Sequence, residues 1–417
     1  MSRWQIVSLG SLASFRNGLN YTKSARERGG LPIVGVKDFQ DRVTLETTGL
    51  EELDSSQIDC GDTLLEPGDI LFVRSNGNRE LIGRSMFVAD KPPRPTTYSG
   101  FSIRLRVHST EACPRFLAYL FRGPVIRSTL SSQGGGTNIS NLNQGILANL
   151  KVPLPPLPIQ RRIASILGAY DDLIEVNRRR IAVLEEMARR LFDEWFVHFR
   201  FPGHEGHRMV ETEHGRLPEG WSWKPFGDLC HDIRDTVTPS MVEAATPYVG
   251  LEHIPRRSTT LNACGRADEV SSLKHRFQFG DVLFGKIRPY FHKVAWAHFD
   301  GVCSSDAIVI RAREQELAGI VLAIASSDRF VATSVQTSNG TKMPRANWSV
   351  LVRYLVPMPE PRECIRVSDA LIAWANLAAA LHTANTRLAA SRDLLLPRLI
   401  SGELSITTAE RELEAAA

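Results

Sequence analysis

Val152-Pro153-Leu154-Pro155-Pro156-Leu157-Pro158-Ile159-Gln160, with the mixed polar and apolar run that follows it to Phe201, sets how the rest of the chain is read. Proline can neither extend a helix through its interior nor donate to a sheet ladder, so this stretch ends one structural unit and Pro158 opens the first turn of another. The run beyond it predicts one helix to about His198. Ile174, Ile181, Ala188 and Trp195 recur every seven residues, and Leu184 and Leu191 lie three residues after Ile181 and Ala188. These are the interleaved positions of a coiled-coil seam, with Asn177 as a polar intruder. Such a helix needs a partner.

The partner emerges when the chain is slid along itself. Val356-Pro357-Met358-Pro359 repeats Val152-Pro153-Leu154-Pro155 at an offset of 204, and the same offset pairs Leu184 with Leu388 and Leu191 with Leu395. A second helix is therefore expected from about Arg362 to Arg398, with Leu377, Leu381, Leu388 and Leu395 on its seam. Further back, Gly136-Thr137 matches Gly340-Thr341 and Asn143 matches Asn347, still at 204. Gly68-Asp69-x-Leu71-Phe72 matches Gly280-Asp281-x-Leu283-Phe284 at 212, and Trp4, Gly10 and Leu12 match Trp221, Gly227 and Leu229 at 217. A drift in one direction is what a duplicated unit with short deletions leaves behind.

The expected organisation is α/β (α+β): two repeated globular domains and two long helices packed antiparallel as a coiled coil. The first domain covers residues 1–155, the central helix 156–200, a polar linker 201–218, the second domain 219–358, the C-terminal helix 359–400 and a frayed tail 401–417. Strands are expected at Leu31 to Val36, Asp69 to Val73, Phe101 to Val107, Tyr248 to Ile254, Asp281 to Ile287 and Ala307 to Ala312. Single helices are expected at Pro114 to Leu130 and Leu317 to Phe330. A central helix of some 40 residues would reach roughly 60 Å, more than one turn of B-DNA at about 34 Å.

The chain has 417 residues, 43% of them hydrophobic, and a formal net charge of +4. That is an ordinary globular mixture, mildly basic and compatible with a polyanionic partner. The central helix contributes little to the excess, because its arginines and its acidic residues balance. No uninterrupted apolar run has the roughly 18 residues of a membrane span, and the N-terminus lacks the core of a signal peptide, which points to the cytoplasm. The scattered cysteines suggest buried free thiols and not a disulfide framework. His204-Glu205-Gly206-His207 spaces its histidines by three where a helical zinc pair needs four. No Walker loop, nucleophile elbow or aminomethyltransferase motif is present, so no catalytic residue, metal site or resident cofactor is expected.

Residues suited to DNA fall on matched loops. Arg and Lys suit phosphates and guanine edges, and Asn and Gln suit adenine edges. The first copy offers Arg74, Asn76, Asn78 and Arg79 after the Gly-Asp strand, and Gln133, Thr137, Asn138 and Asn141 in a glycine-rich loop. The second offers Lys286, Arg288, Tyr290, His292 and Lys293, with Thr341, Lys342, Arg345 and Asn347.

The chain resembles the specificity subunits of type I restriction-modification systems over nearly its whole length. The resemblance rests on Gly280-Asp281-Val282-Leu283-Phe284-Gly285-Lys286-Ile287-Arg288-Pro289-Tyr290, on Gly340-Thr341-Lys342-Met343-Pro344-Arg345, on the Pro-Leu-Pro-Pro-Leu entry at 153–157 and on the block from Leu184 to His204. It implies two target-recognition domains that each read half of a split DNA site, with a helix pair that sets the spacing and docks two modification subunits. S-adenosylmethionine, ATP and Mg would then belong to partner subunits, including the restriction subunits. Two departures stand out: Ile159 replaces the usual glutamate before Gln160, and the second copy has Cys364 where the first has that glutamine. A coiled-coil scaffold that never meets DNA and a stand-alone DNA-modifying enzyme are the competing readings.

Overall fold

In the computed structural model, which describes residues 4–39, 42–132, 142–340, 342–409 and 411, the proline stretch does two jobs. Its first part, Lys151–Leu154, is a strand paired antiparallel with Gln5–Ser8. Its second part starts a 36-residue helix, Leu157–Phe192, and Pro158 occupies the first turn, where a missing N–H costs nothing. The helix ends in a π-helical turn, Asp193–Val197. There Phe192 and Phe196 stack with ring centroids 5.1 Å apart. The second long helix, Pro361–Ser401, follows the strand Leu355–Met358, which pairs with Ser222–Pro225 as the first copy's strands pair.

The chain divides into two units, Met1–Ile174 with Arg387–Ala417, and Glu175–Thr386, so each unit holds a part of both long helices. In the first, Ile163, Leu167, Tyr170 and Ile174 bury in one core with Leu388, Leu395 and Leu399, and Arg392 forms an ion pair with Asp171. In the second, the Asn177 amide donates to Asn385 Oδ1 at 3.0 Å. In both, residue numbers rise along one helix as they fall along the other, which makes the helices antiparallel. The seam differs from expectation in one place. Leu377 is 49% exposed, and the buried face of the second helix instead runs through Leu371, Ala378, Asn385, Arg392 and Leu399 at strict seven-residue spacing. One 18-residue window of this helix has mean hydropathy 1.4, apolar and long enough by that measure to cross a bilayer. Its Val367, Leu371, Ala378 and Ala379 are buried against protein.

The duplication holds strand by strand. In the first unit a four-stranded antiparallel sheet runs Ala13–Asn17, Ser102–Val107, Ile70–Val73, Ser85–Phe87; in the second the order is Cys230–Asp232, Ala307–Ala312, Val282–Gly285, Val294–Trp296. Each unit also has a sheet with one parallel pair, Ile33 opposite Thr97 and Tyr248 opposite Val302. The second unit extends that sheet to five strands.

Four local expectations change. The helix foreseen at Pro114 to Leu130 is two, Pro114–Arg122 and Pro124–Ser132, because Pro124 cannot continue the first and opens the second. The helix foreseen at Leu317 to Phe330 likewise splits into Ala318–Ser326 and Asp328–Gln336 at Ser327, whose hydroxyl caps the Phe330 N–H. The linker folds into a hairpin of Met209–Thr212 against Gly215–Pro218. Past Ser401 the tail is anchored as far as Ala409, since Leu404 and Ala409 are buried in the first core. Among the cysteines, Cys230, Cys303 and Cys364 are buried, Cys60 and Cys113 half-buried and Cys264 exposed.

Candidate nucleic-acid interface

Each Gly-Asp pair shapes a loop from below. Gly68 and Gly280 adopt φ of 93° and 91°, open to glycine and strained for other residues. The aspartates that follow are 1% exposed. Asp69 accepts from Arg106 Nε (2.7 Å) and Nη2 (2.8 Å) and from the Glu66 N–H (2.8 Å). Asp281 accepts from Arg311 Nε (2.6 Å) and Nη2 (2.7 Å) and from the Gln278 N–H (2.7 Å). A two-point arginine contact of this kind fixes orientation as well as charge. The strand beyond then delivers its loop at a set angle.

In the first unit Arg74 is clasped through its backbone: its N–H donates to Phe101 O at 2.7 Å and its carbonyl accepts from Leu142 N at 2.9 Å. The second unit repeats both bonds with Lys286, to Asp306 O at 2.9 Å and from Ala346 N at 2.8 Å. Asn76 and Asn78 accept from the N–H groups of Asn78 (2.8 Å) and Glu80 (3.0 Å), so an acceptor lone pair of each shapes the loop. Arg79 opens the short helical turn Arg79–Leu81. Gln133, Thr137, Asn138, Asn141 and Thr341 lie outside the described residues.

The second unit brings two loops side by side. Ile287 and Asn339 each bridge to Arg345, and the Arg288 N–H donates to Pro344 O at 2.7 Å. Lys286, Arg288 and Tyr290 thus lie next to Lys342 and Arg345, and all but the half-buried Lys286 are exposed. Lys286 Nζ also donates to Ser305 O at 2.6 Å, and Arg345 lies 3.7 Å from Asp306. Arg288 and His292 both take left-handed backbone (φ 50° and 52°) around the turn Pro289–Phe291. That reversal exposes Arg288 and Tyr290 and turns the residues after them inward.

Three of the residues proposed from sequence consequently serve the fold. His292 is 8% exposed with Nε2 2.7 Å from Ser326 O, and burial lowers its pKa from the ordinary histidine value. Lys293 donates to Leu251 O, and burial lowers its pKa too, with Arg256 adding to the effect. Asn347 caps the helical turn Trp348–Leu351 by accepting from Ser349 N at 3.0 Å, as Asn143 caps Gln144–Asn149 from Ile146 N at 2.9 Å. Position in a polar loop says nothing about which way a side chain points.

The structure adds residues that the sequence reading passed over. Phe101, 61% exposed, lines a groove in the first unit with Arg26, Lys37, Ser75 and Asn76. Its carbonyl does for Arg74 what Asp306 O does for Lys286, so the repeat places an aromatic ring where the other copy has a carboxylate. Aligning the two copies through Ser102 and Ala307 would have exposed that difference. Among the described residues no group of three or more His, Cys, Asp or Glu could hold a metal ion, and His204 Nδ1 lies 2.8 Å from Phe201 O.

Comparison with known proteins places these loops in context. Residues 1–186 match the family model described as the type I restriction modification DNA specificity domain. The type I restriction enzyme EcoDI specificity subunit of Escherichia coli is 26% identical over 317 residues, covering 70% of this chain and 70% of its own. The EcoKI specificity subunit of Escherichia coli (strain K12) is 21% identical over 434 residues, covering 96% of this chain and 89% of its own. Among solved structures, the type I restriction-modification S subunit from M. genitalium superposes with a TM-score of 0.56 at 12% identity, over 95% of this chain and 96% of that one. At that identity the likeness speaks for the fold.

Proposed function

We propose that this chain belongs to the type I restriction-modification specificity-subunit family, whose domain model its residues 1–186 match, and that it is the non-catalytic subunit through which such a complex reads a two-part DNA target. Each unit reads one half of the site and the antiparallel helix pair sets the gap between the halves. Two modification subunits carrying S-adenosylmethionine dock on the chain in the cytoplasm, and ATP- and Mg-dependent restriction subunits join them. The observation that carries this reading is the repeated loop clasp, Arg74 in one unit and Lys286 in the other, which presents basic side chains at equivalent places in both copies. On the second-unit stretch of the first long helix, Val176, Val183 and Met187 are 43%, 57% and 42% exposed, an apolar stripe suited to a partner.

Mapping methylated adenines in the host genome should return a split motif with a fixed gap, which then supplies the probe. With partners co-expressed, Arg288→Ala or Lys342→Ala should weaken binding to that probe about tenfold while assembly is unchanged. Where the lost contact is to phosphate, the salt dependence should flatten by about one counterion. Unchanged affinity across a salt titration would remove both residues from the interface. Methylation or cleavage by the chain without partners would favour a stand-alone enzyme.

A further inference from the structure

In the second unit, Glu185 on the first long helix acts as an anchor for a segment of the globule. Its Oε1 accepts from Ser258 Oγ (2.7 Å), Thr259 N (2.9 Å), Thr260 N (3.0 Å) and Thr260 Oγ1 (2.8 Å). Two consecutive backbone N–H groups and three hydroxyls, the third being Thr259 Oγ1 at 3.4 Å, converge on one anionic oxygen, an arrangement stronger than neutral hydrogen bonds. The anchored segment lies along the sheet, with Thr260 bridged to Trp296 and the Trp296 N–H donating to Thr259 O at 2.8 Å. Arg189, one helical turn after Glu185, donates to Arg257 O at 3.4 Å.

From that segment the connection continues to the exposed loop. Arg257, in left-handed backbone at φ 56°, donates its N–H to His292 O at 2.9 Å. Its guanidinium reaches Asp328 Oδ1 at 3.1 Å. His292 is the residue that closes the turn bearing Arg288 and Tyr290, and its own ring is held by Ser326 O. A helix residue that touches no exposed loop is therefore two hydrogen-bonded steps from the residues proposed to meet DNA.

The first unit has the same strand-edge segment, and among the described residues it lacks the anchor. The Phe87 N–H donates to Val43 O at 2.8 Å, and the Leu45 N–H to Phe87 O at 2.8 Å, as Trp296 does with Thr259. At the repeat offset, however, the long helix carries Ala389, which offers no side-chain acceptor. Among the described residues the device belongs to one copy.

We infer that Glu185 is a positioning residue for the second unit alone, holding its DNA-reading loop at a set angle to the helix and sharpening discrimination at that unit's half-site. The inference rests on the reading in which each unit reads one half of the target. It is tested in the complete complex with partner subunits, by competition binding of DNAs carrying single base-pair changes in either half. The half-site belonging to the second unit is the one where Arg288→Ala lowers affinity or discrimination. Glu185→Ala should lower discrimination there about tenfold and leave the other half-site within about twofold, with an unchanged salt slope because no phosphate contact is lost. Glu185→Gln, which keeps one carbonyl acceptor, should recover part of the loss. Ser258→Ala combined with Thr260→Val removes two donors from the opposite side and should reproduce the effect in weaker form, which keeps the test decisive if Glu185→Ala fails to assemble. Equal losses at both half-sites, or none at the second, would overturn the inference. A wild-type complex that discriminates at neither half would overturn the two-unit reading beneath it.

Discussion

Both units tie a globule helix to a long helix at the same place, yet with different chemistry. In the first, Gln160 is fully buried: its Oε1 accepts from Cys113 N at 2.8 Å, and its Nε2 donates to Glu111 O at 2.8 Å and Pro155 O at 2.7 Å. In the second, Cys364 stands at the equivalent position and keeps one contact, Sγ to Pro359 O at 3.6 Å. The amide at the start of the globule helix is instead capped from one turn further along, by Ser368 Oγ accepting from Gly319 N at 2.9 Å. A buried helix start needs an acceptor, and the fold is indifferent to which residue supplies it. What the missing glutamine costs the second unit is the donor bond that Gln160 makes to Glu111 O, while a weaker thiol contact to Pro359 O replaces the one to Pro155 O.

If the units are true copies, removing what they share should hurt both alike. Asp69→Ala and Asp281→Ala each strip a buried carboxylate from its arginine, and we expect each to cost its unit about 3 kcal/mol. Hydrogen exchange read separately over each unit's sheet, during titration with urea, measures this. A loss confined to one copy would break the equivalence at its best-defined point.

Removing what they do not share should separate them. Gln160→Leu leaves the Cys113 N–H and the Glu111 and Pro155 carbonyls without their partner, and should cost about 2–3 kcal/mol. Ser368→Ala leaves one N–H and should cost about 1 kcal/mol. Chemical denaturation of each variant with its parent checks the ranking. Equal costs would mean that the extra bonds of Gln160 contribute nothing measurable.

The collinear matches at offsets of 204, 212 and 217 located structure well, because glycine with positive φ, a buried aspartate and an Asn cap each leave a residue-type imprint. Gly68 with Gly280 and Asn143 with Asn347 have equivalent roles in the coordinates. The antiparallel helix pair was legible for the same reason, since apolar spacing reports a buried face. Polar members of that face were not. Asn385 and Arg392 are 7% exposed on the seam of the second helix, and a hydrophobic pattern passes over them in favour of Leu377. In the loops the limit is direction. Left-handed backbone at Arg288 and His292 decides that one side chain faces solvent and the other a carbonyl, and neither residue type announces it. Glu185 was visible only as one charge in a balanced helix, because its partners lie more than 70 positions away.

The smallest expected difference between the units is their response to acid. Every histidine except the exposed His108 lies in the second unit. Burial holds the imidazoles of His275, His292, His298 and His382 below the ordinary histidine value. A histidine with a depressed folded pKa favours the fold while neutral. That contribution is complete above the unfolded value of about 6.5 and is lost as pH falls through the folded value, where the unfolded chain binds a proton that the fold resists. Apart from the buried His292, these rings are half-buried and partly solvated, so each effect is modest. Between pH 7.5 and 5.5, exchange protection should therefore fall more in the second unit than in the first. His292→Gln should remove part of that difference, because the amide can still donate to Ser326 O and carries no titrating proton. Equal loss of protection in both units would show that groups common to the two copies, and not the histidines of one, govern how the chain responds to acid.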